Sequence, residues 1–190
     1  PAALHNTCSG KHVGFLTVCR QGDIDPVGYI APAHPLQAGH VTPAVEELCG
    51  VSLAGSAPGV DGCGIPVWSM PLDRLAAGWA GLGRTDEGRR IYSAMIAEPY
   101  MVAGPARACT SIIEAAGGRA VVKTGAEGLS SGVATDSGAA VALKVRDGAT
   151  RASEMAGEWA MSELGAGPSP APRVIRNSAG TAVGEIRIAA

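Results

Sequence analysis

One stretch indicates the fold class of this chain, residues 109–146, which read CTSIIEAAGGRAVVKTGAEGLSSGVATDSGAAVALKVR. A helix predicted over 104–116 ends in it at the pair Gly117-Gly118. Three short runs follow, over 119–124, 129–134 and 139–146, and they have the right length for adjacent antiparallel strands. The spacing of the apolar residues therefore changes from that of a helix to that of a strand near residue 118.

Helical patterns dominate the chain before this stretch. Helices are predicted over 9–20 with Ser9 as N-cap, 35–49 with Thr42 as a cap before Pro43, 71–82, and 85–101 with a kink near Pro99. After it come an amphipathic helix over 150–164, with Met155, Trp159 and Leu164 on its apolar side, and a last strand pair near 174–175 and 183–188. Helices over 1–118, then strands and a helix over 119–190, predict a layered α+β architecture in one domain.

Composition excludes several classes of function. The 190 residues are 46% hydrophobic with a formal net charge of −2, so disorder, nucleic-acid binding and an anionic membrane partner are not indicated. No apolar run approaches the roughly 20 residues of a membrane span. Five cysteines, an odd number, without a secretion signal predict reduced thiols in the cytoplasm. The start at Pro1, with a dense motif from residue 5, is interpreted as a cut inside a larger protein or as processing.

Lysine is scarce, with three residues against twelve arginines, and two of the three lie in motifs. Unlike arginine, lysine can accept a proton once burial lowers its pKa. Lys123 begins Lys123-Thr124-Gly125 at the end of a strand-like run, a triplet that borders the cleft of penicillin-recognising serine enzymes. There Gly125 would let a substrate approach the backbone. A chance strand end is the alternative interpretation.

The partner motif of those enzymes, Ser-x-x-Lys, is absent from the chain. Its nearest counterpart is Cys8-Ser9-Gly10-Lys11, in which a cysteine takes the serine position. A serine–lysine mechanism therefore cannot be completed from these residues alone.

Two thiols and an amine suggest a metal site. Cys8 and Lys11 lie one helical turn apart, and Cys63 follows Asp61 in a glycine-rich segment. Two thiolates and a nitrogen could hold zinc with a water as fourth ligand, and Asp61 could orient one of them. The alternative is that Cys8 and Cys63 never meet. His12 could donate to a carboxylate or cap a turn, whereas Cys109, on a helix, is either a reactive thiol or a packing residue.

Together these segments resemble the asparaginase II family, the rhizobial-type amidohydrolases. The matching stretches are HNTCSGKHVGFL (5–16), HPLQ (34–37), GVDGCGIPVW (59–68), PLDRLA (71–76) and CTSIIEAAGGRAVVKTGAEG (109–128). Thr7 stands where the family would have asparagine. The resemblance implies hydrolysis of L-asparagine to L-aspartate and ammonia, in a fold similar to serine β-lactamases and glutaminases, by a homodimer.

The resemblance also implies roles for individual residues. By position, Cys8, Lys11 and Cys63 match the zinc ligands, Lys123 a catalytic lysine, and Cys109 a cysteine near the cleft. Asp61, His12, Thr124 and Gly125 are expected to contact the substrate or the polar surroundings of the metal.

The family's catalytic serines precede the segment HNTCSGKH, so the nucleophile is expected upstream of Pro1, and this chain alone is expected to be inactive. Two other interpretations stay open at this point. One is a glutaminase or β-lactam-recognising enzyme of the same fold, and the other is a non-catalytic zinc-binding homologue.

Overall fold

The computed structural model describes residue 2 and residues 5–189 of the chain. These residues fall into two compact units, Pro1–Met70 and Pro71–Ala190, and each unit is described by itself. The interpretation of 1–190 as one domain stays a prediction.

The first unit contains two helices, one π-helical turn and a small hairpin. Its elements are α1 (Ser9–Gln21), the π-helical turn Gln37–Val41, α2 (Thr42–Cys49), β1 (Gly59–Val60) and β2 (Pro66–Val67). Strands β1 and β2 pair antiparallel, with Gly59 opposite Val67 and Val60 opposite Pro66. Cys19 and Cys49 are buried on α1 and α2, as their apolar neighbours in the sequence predict.

Two predicted N-caps in this unit are wrong by one residue. The N-cap of α1 is Cys8 rather than Ser9, and its side chain makes no capping hydrogen bond. The N-cap of α2 is Val41 rather than Thr42, because the preceding π-helical turn runs directly into α2 with helical backbone angles.

The second unit contains five helices and two antiparallel sheets within its described residues. The helices are α3 (Leu72–Leu82), α4 (Asp86–Ala97), α5 (Pro99–Ala103), α6 (Ala108–Ala116) and α7 (Thr150–Glu163). The strands are β3 (Ala120–Thr124), β4 (Leu129–Ala134), β5 (Ala140–Lys144), β6 (Arg173–Arg176) and β7 (Ala182–Ile186). The strand order β3-β4-β5 forms one sheet, and β6 and β7 form a separate hairpin.

Two helical layers cover the three-stranded sheet. Side chains alternate between its faces, so Ala120 and Val122 of β3 pack against α6 and α7, around Ile113 and Met161. Val121, between them, points to the other face and packs with residues of α3 and α4. This arrangement supports the α+β prediction, and the β-lactamase-like fold stays a prediction.

The helix expected over 85–101 is interrupted at Glu98, in agreement with the kink predicted near Pro99, because Pro99 disfavours helical angles at the residue before it. Two other predictions for this unit are wrong. The helix expected from 104 begins at Ala108, after Gly104 adopts a backbone φ of 87°. Trp159 is 44% exposed rather than on the buried side of α7.

No helix among the residues that the structure describes is both long and apolar enough to cross a membrane.

Candidate active site and metal-binding cluster

Four of the predicted site residues meet in the first unit. Cys8 caps the start of α1, and Lys11 follows one turn later on the same helix. Asp61 and Cys63 lie in the turn that joins β1 to β2, where Gly64 has a φ of 85° that only glycine adopts without strain. The N-terminus of a helix and a tight turn thus present these four side chains to one another.

Asp61 is the acceptor that joins the cluster. Its Oδ2 accepts a hydrogen bond from Lys11 Nζ at 3.0 Å. Its Oδ1 accepts from the Cys63 thiol at 3.0 Å, and from the backbone N–H groups of Cys63 and Ile65 at 2.9 and 3.0 Å. The Cys63 thiol also lies within hydrogen-bonding reach of Cys8 and Lys11. Of the two alternatives that the spacing left open, the structure shows the one in which Cys8 and Cys63 meet.

The charges in this cluster stabilise one another. Burial alone would raise the pKa of Asp61, but hydrogen bonds from Cys63, Lys11 and Ile65 outweigh it and hold that pKa well below its usual range. Burial would likewise lower the pKa of Lys11, yet its hydrogen bonds to Cys63 and Asp61 raise it. For Cys63, burial and the hydrogen bond to Asp61 raise the pKa, and Lys11 offsets only part of that increase. The arrangement is a protonated amine and thiol around a carboxylate.

The donors of this cluster fit zinc in type but not as a set of standard ligands. In the part of the chain that the structure describes, no group of three or more His, Cys, Asp or Glu side chains is arranged to hold a metal ion. Cys8 and Cys63 supply two sulfurs, so a third protein ligand would have to be the Lys11 amine. That amine must first lose its proton, as must both thiols.

His12 does not contact this carboxylate; it pairs with a tyrosine that the sequence did not single out. His12 Nδ1 lies 2.6 Å from the Tyr29 hydroxyl, and the two rings meet edge to face. The backbone carbonyl of Tyr29 accepts from the Gln37 side chain at 2.9 Å, and Gln37 is almost fully buried. Part of the HPLQ segment therefore fixes the loop that carries Tyr29. No periodicity or motif around Tyr29 signals this role.

Lys123, Thr124 and Gly125 lie at the end of β3, an edge strand of the sheet in the second unit. Lys123 is exposed, and its Nζ donates to the Thr124 carbonyl at 2.8 Å. A Cβ at position 125 would lie 2.9 Å from Cδ2 of Leu129, so a larger residue here would displace the Leu129 side chain. The close approach here is to Leu129, and the expected approach of a substrate stays a prediction.

Cys109 supports this strand end from α6. It is fully buried, and its sulfur accepts the Thr124 N–H at 3.1 Å and lies 3.3 Å from the Thr124 hydroxyl. Of the two interpretations of Cys109, its burial favours packing and positioning over exposed reactivity.

A tryptophan on α3, Trp79, also contacts this region. Trp79 Nε1 donates to the Ser131 hydroxyl at 2.8 Å, and its ring stacks on Tyr92 with centroids 5.9 Å apart. Ser131 is the direct cross-strand partner of Lys123, so both side chains stand on one face of the sheet. Trp79 thus fixes the side-chain position of Ser131, the cross-strand neighbour of Lys123.

Comparison with known proteins gives one match. The family described as L-asparaginase II matches residues 1–188 of this chain. No curated protein is similar enough to count as a relative. The match includes both the cluster around Asp61 and the strand end at Lys123, and the chain belongs to the L-asparaginase II family.

Proposed function

We propose that the chain supplies active-site residues of an amidohydrolase that converts L-asparagine to L-aspartate and ammonia. Family membership supports an amidohydrolase with a small substrate. The observation that carries the proposal is the convergence of Lys11 and Cys63 on Asp61, with Cys8 next to Cys63. These residues come from separate segments of the chain. Two thiols beside an ion pair are not expected on a surface that has no binding or catalytic role.

The proposed chemistry is attack of a serine hydroxyl on the side-chain amide of asparagine. The chain has no Ser-x-x-Lys motif, so we assign the nucleophile to a part of the enzyme outside these residues. A neutral lysine takes the serine proton and passes it to the departing ammonia, and water then hydrolyses the acyl-enzyme. Lys123 is proposed to accept or relay this proton because of its place in the Lys123-Thr124-Gly125 triplet at the end of β3.

The strand end beside Lys123 would bind the backbone of the substrate. Thr124 is half-buried and held by Cys109, so its position is fixed before a ligand arrives. Asp61 and His12 are proposed to bind polar groups of the substrate or the surroundings of the metal. A zinc ion held by Cys8, Lys11 and Cys63 would supply positive charge that orients a carboxylate.

The decisive test is the substitution Lys123→Ala in the full-length enzyme. We expect ammonia release from asparagine to fall by at least about a hundredfold, the usual contribution of a proton-transfer group. The release of ammonia is measured by a coupled assay under saturating asparagine.

Lys144→Ala is the matched control for this test. Lys144 is also exposed at a strand end, and its Nζ donates to the carbonyl of the next residue at 2.6 Å. The two variants therefore remove the same kind of local hydrogen bond. Equal rates in both variants and the wild type would remove Lys123 from the mechanism.

Two other functions are distinguished by simple assays. Side-by-side turnover of asparagine, glutamine and a chromogenic β-lactam separates the proposed activity from a glutaminase or a β-lactam-recognising enzyme. Chelation separates a catalytic metal from a non-catalytic zinc-binding homologue. Loss of a structural metal should lower the melting temperature strongly, whereas loss of a substrate-binding metal should mainly lower activity.

The proposal also includes a β-lactamase-like fold for the whole enzyme, a homodimer and a cytoplasmic location. The odd number and irregular spacing of the cysteines support the location. Light scattering of the full-length protein would determine its oligomeric state.

A further inference from the structure

The five cysteines form two groups that differ in access to solvent. Cys19, Cys49 and Cys109 are buried, with exposed fractions of 1%, 7% and 0%. Cys8 and Cys63 are half-buried instead. Because thiol oxidation follows exposure, small oxidants in solution should reach the second pair first.

The two accessible thiols are also neighbours in space. Cys8 precedes the helical turn that carries Lys11, and the Lys11 amine and the Cys63 thiol contact the same Asp61 carboxylate at 3.0 Å each. Cys8 is also one of the side chains that act on the Cys63 thiol. Asp61 fixes the side of the turn to which the Cys63 thiol points, through the contact of 3.0 Å with its Oδ1. Oxidation of one sulfur would therefore occur beside a second sulfur that can resolve it.

The backbone around both cysteines leaves room for small adjustments. Cys8 caps α1 without a side-chain hydrogen bond, so its χ1 is not fixed by the cap. Cys63 is flanked by Gly62, where a Cβ would meet no atom within 4 Å, and by Gly64. A disulfide requires Cα atoms about 4.4 to 6.8 Å apart, and the hydrogen bonds from Cys63 and Ile65 to Asp61 Oδ1 set the backbone position from which Cys63 reaches towards Cys8.

We propose that Cys8 and Cys63 form a reversible disulfide when no metal occupies the cluster. With a small disulfide such as oxidised glutathione, one protein sulfur attacks the oxidant and releases one molecule of glutathione. The second protein sulfur then attacks the mixed disulfide and releases the other. The two cysteines lose two electrons and two protons, and the two glutathione thiols carry them away.

The cluster would then have two chemical states, one with two thiols and one with a disulfide. The same two sulfurs cannot form a disulfide and hold zinc, so oxidation would remove two of the three proposed ligands. The disulfide itself follows from the geometry of the thiols, whereas its competition with zinc rests on the proposed function.

The test is to map disulfides by mass spectrometry in the metal-free full-length protein. The protein is treated with oxidised glutathione, its remaining thiols are blocked with N-ethylmaleimide, and its peptides are analysed before and after reduction. We expect a linked peptide pair that contains Cys8 and Cys63, with the three buried cysteines of this chain blocked, and full reversal by dithiothreitol. Unlinked Cys8 and Cys63, or a linkage to another cysteine, would overturn the inference.

Two controls make the result specific. In Cys8→Ser the internal linkage should be lost, and Cys63 should instead keep a glutathione adduct, because no resolving thiol remains. A Cys49→Ser variant should form the Cys8–Cys63 linkage like the wild type.

Zinc added before the oxidant should slow the formation of the linkage. An unchanged rate would count against the proposed metal site and would leave the proposed disulfide in place.

Discussion

At the scale of single residues, Asp61 has the most partners in the candidate site. Its two oxygens accept from one ammonium, one thiol and two backbone N–H groups. The backbone contacts shape the turn, and the side-chain contacts gather the proposed metal ligands. One carboxylate therefore has both a structural and an electrostatic role, and the two roles can be separated by substitution.

Asp61→Asn and Asp61→Ala should separate these roles. Asparagine retains an oxygen for the turn and loses only the charge, so the free energy of unfolding should fall by less than about 1 kcal/mol, as for other exposed ion pairs. Alanine also removes the acceptor, which should cost about 1 to 3 kcal/mol more. Urea unfolding of both variants measures the difference. Equal stability of the two variants would show that the turn does not need this oxygen.

At the scale of the elements, the central strand β4 depends on a close approach to β3. Gly132 lies opposite Val122, and a Cβ at this position would be 2.4 Å from the carbonyl oxygen of Val121. Backbone atoms of a paired strand cannot move away without breaking the ladder of hydrogen bonds. The strand register that places Ser131 opposite Lys123 therefore requires glycine at position 132.

Gly132→Ala should lower the free energy of unfolding by about 1 to 3 kcal/mol, the usual cost of overpacking. The control is Gly184→Ala on β7, where the nearest atom to the new Cβ would be Ile175 Cδ1 at 3.8 Å. That variant should be at least as stable as the wild type, because alanine restricts the unfolded chain. Thermal unfolding followed by circular dichroism compares them, and similar losses in both variants would contradict the role given to Gly132.

At the scale of the whole molecule, the stability of the chain should depend on pH through Tyr92. Burial of its ring and hydroxyl raises the pKa of Tyr92 to about 12, against an ordinary value of about 10. The hydroxyl donates to the carbonyl of Trp79, and this bond requires the neutral form. The raised pKa means that the fold favours the neutral phenol, so this stabilisation is complete below about pH 10 and is lost as the pH rises towards 12.

Unfolding by urea at pH 8 to 12 tests this dependence, with Tyr92→Phe as the reference. The wild type should be more stable than the variant by about 1 kcal/mol at neutral pH, the value of one hydrogen bond. The difference should shrink above about pH 10. A difference that stays constant to pH 12 would be inconsistent with a buried neutral phenol at this position.

Much of the fold follows from periodicity, because it depends on local patterns. The three central strands and the helix α7 occur at the predicted positions to within two residues at either end. The break at Glu98 agrees with the kink expected near Pro99, whereas the late start of α6 at Ala108 depends on the backbone at Gly104, which periodicity does not contain. The exposure of Trp159 also could not be predicted, since it depends on which elements pack against α7.

Only those residues of the candidate site that lie in a sequence motif could be predicted. Cys8, Lys11 and Cys63 were found from their residue types and spacing, but the contacts of Lys11 and Cys63 with Asp61 required the structure. The contacts of Tyr29 with His12 and of Trp79 with Ser131 join segments far apart in the sequence. No pattern within a short window encodes such pairs.

The alternation of side chains at the end of β3 separates two neighbouring residues into different environments. Thr124 faces the layer of α6, where Cys109 holds it, and Lys123 faces the layer of α3 and α4, beside Ser131 and Trp79. A substitution in one layer should displace one of these residues and leave the other in place. Evolution can therefore adjust the position of Thr124 and the position of Lys123 along two nearly independent routes.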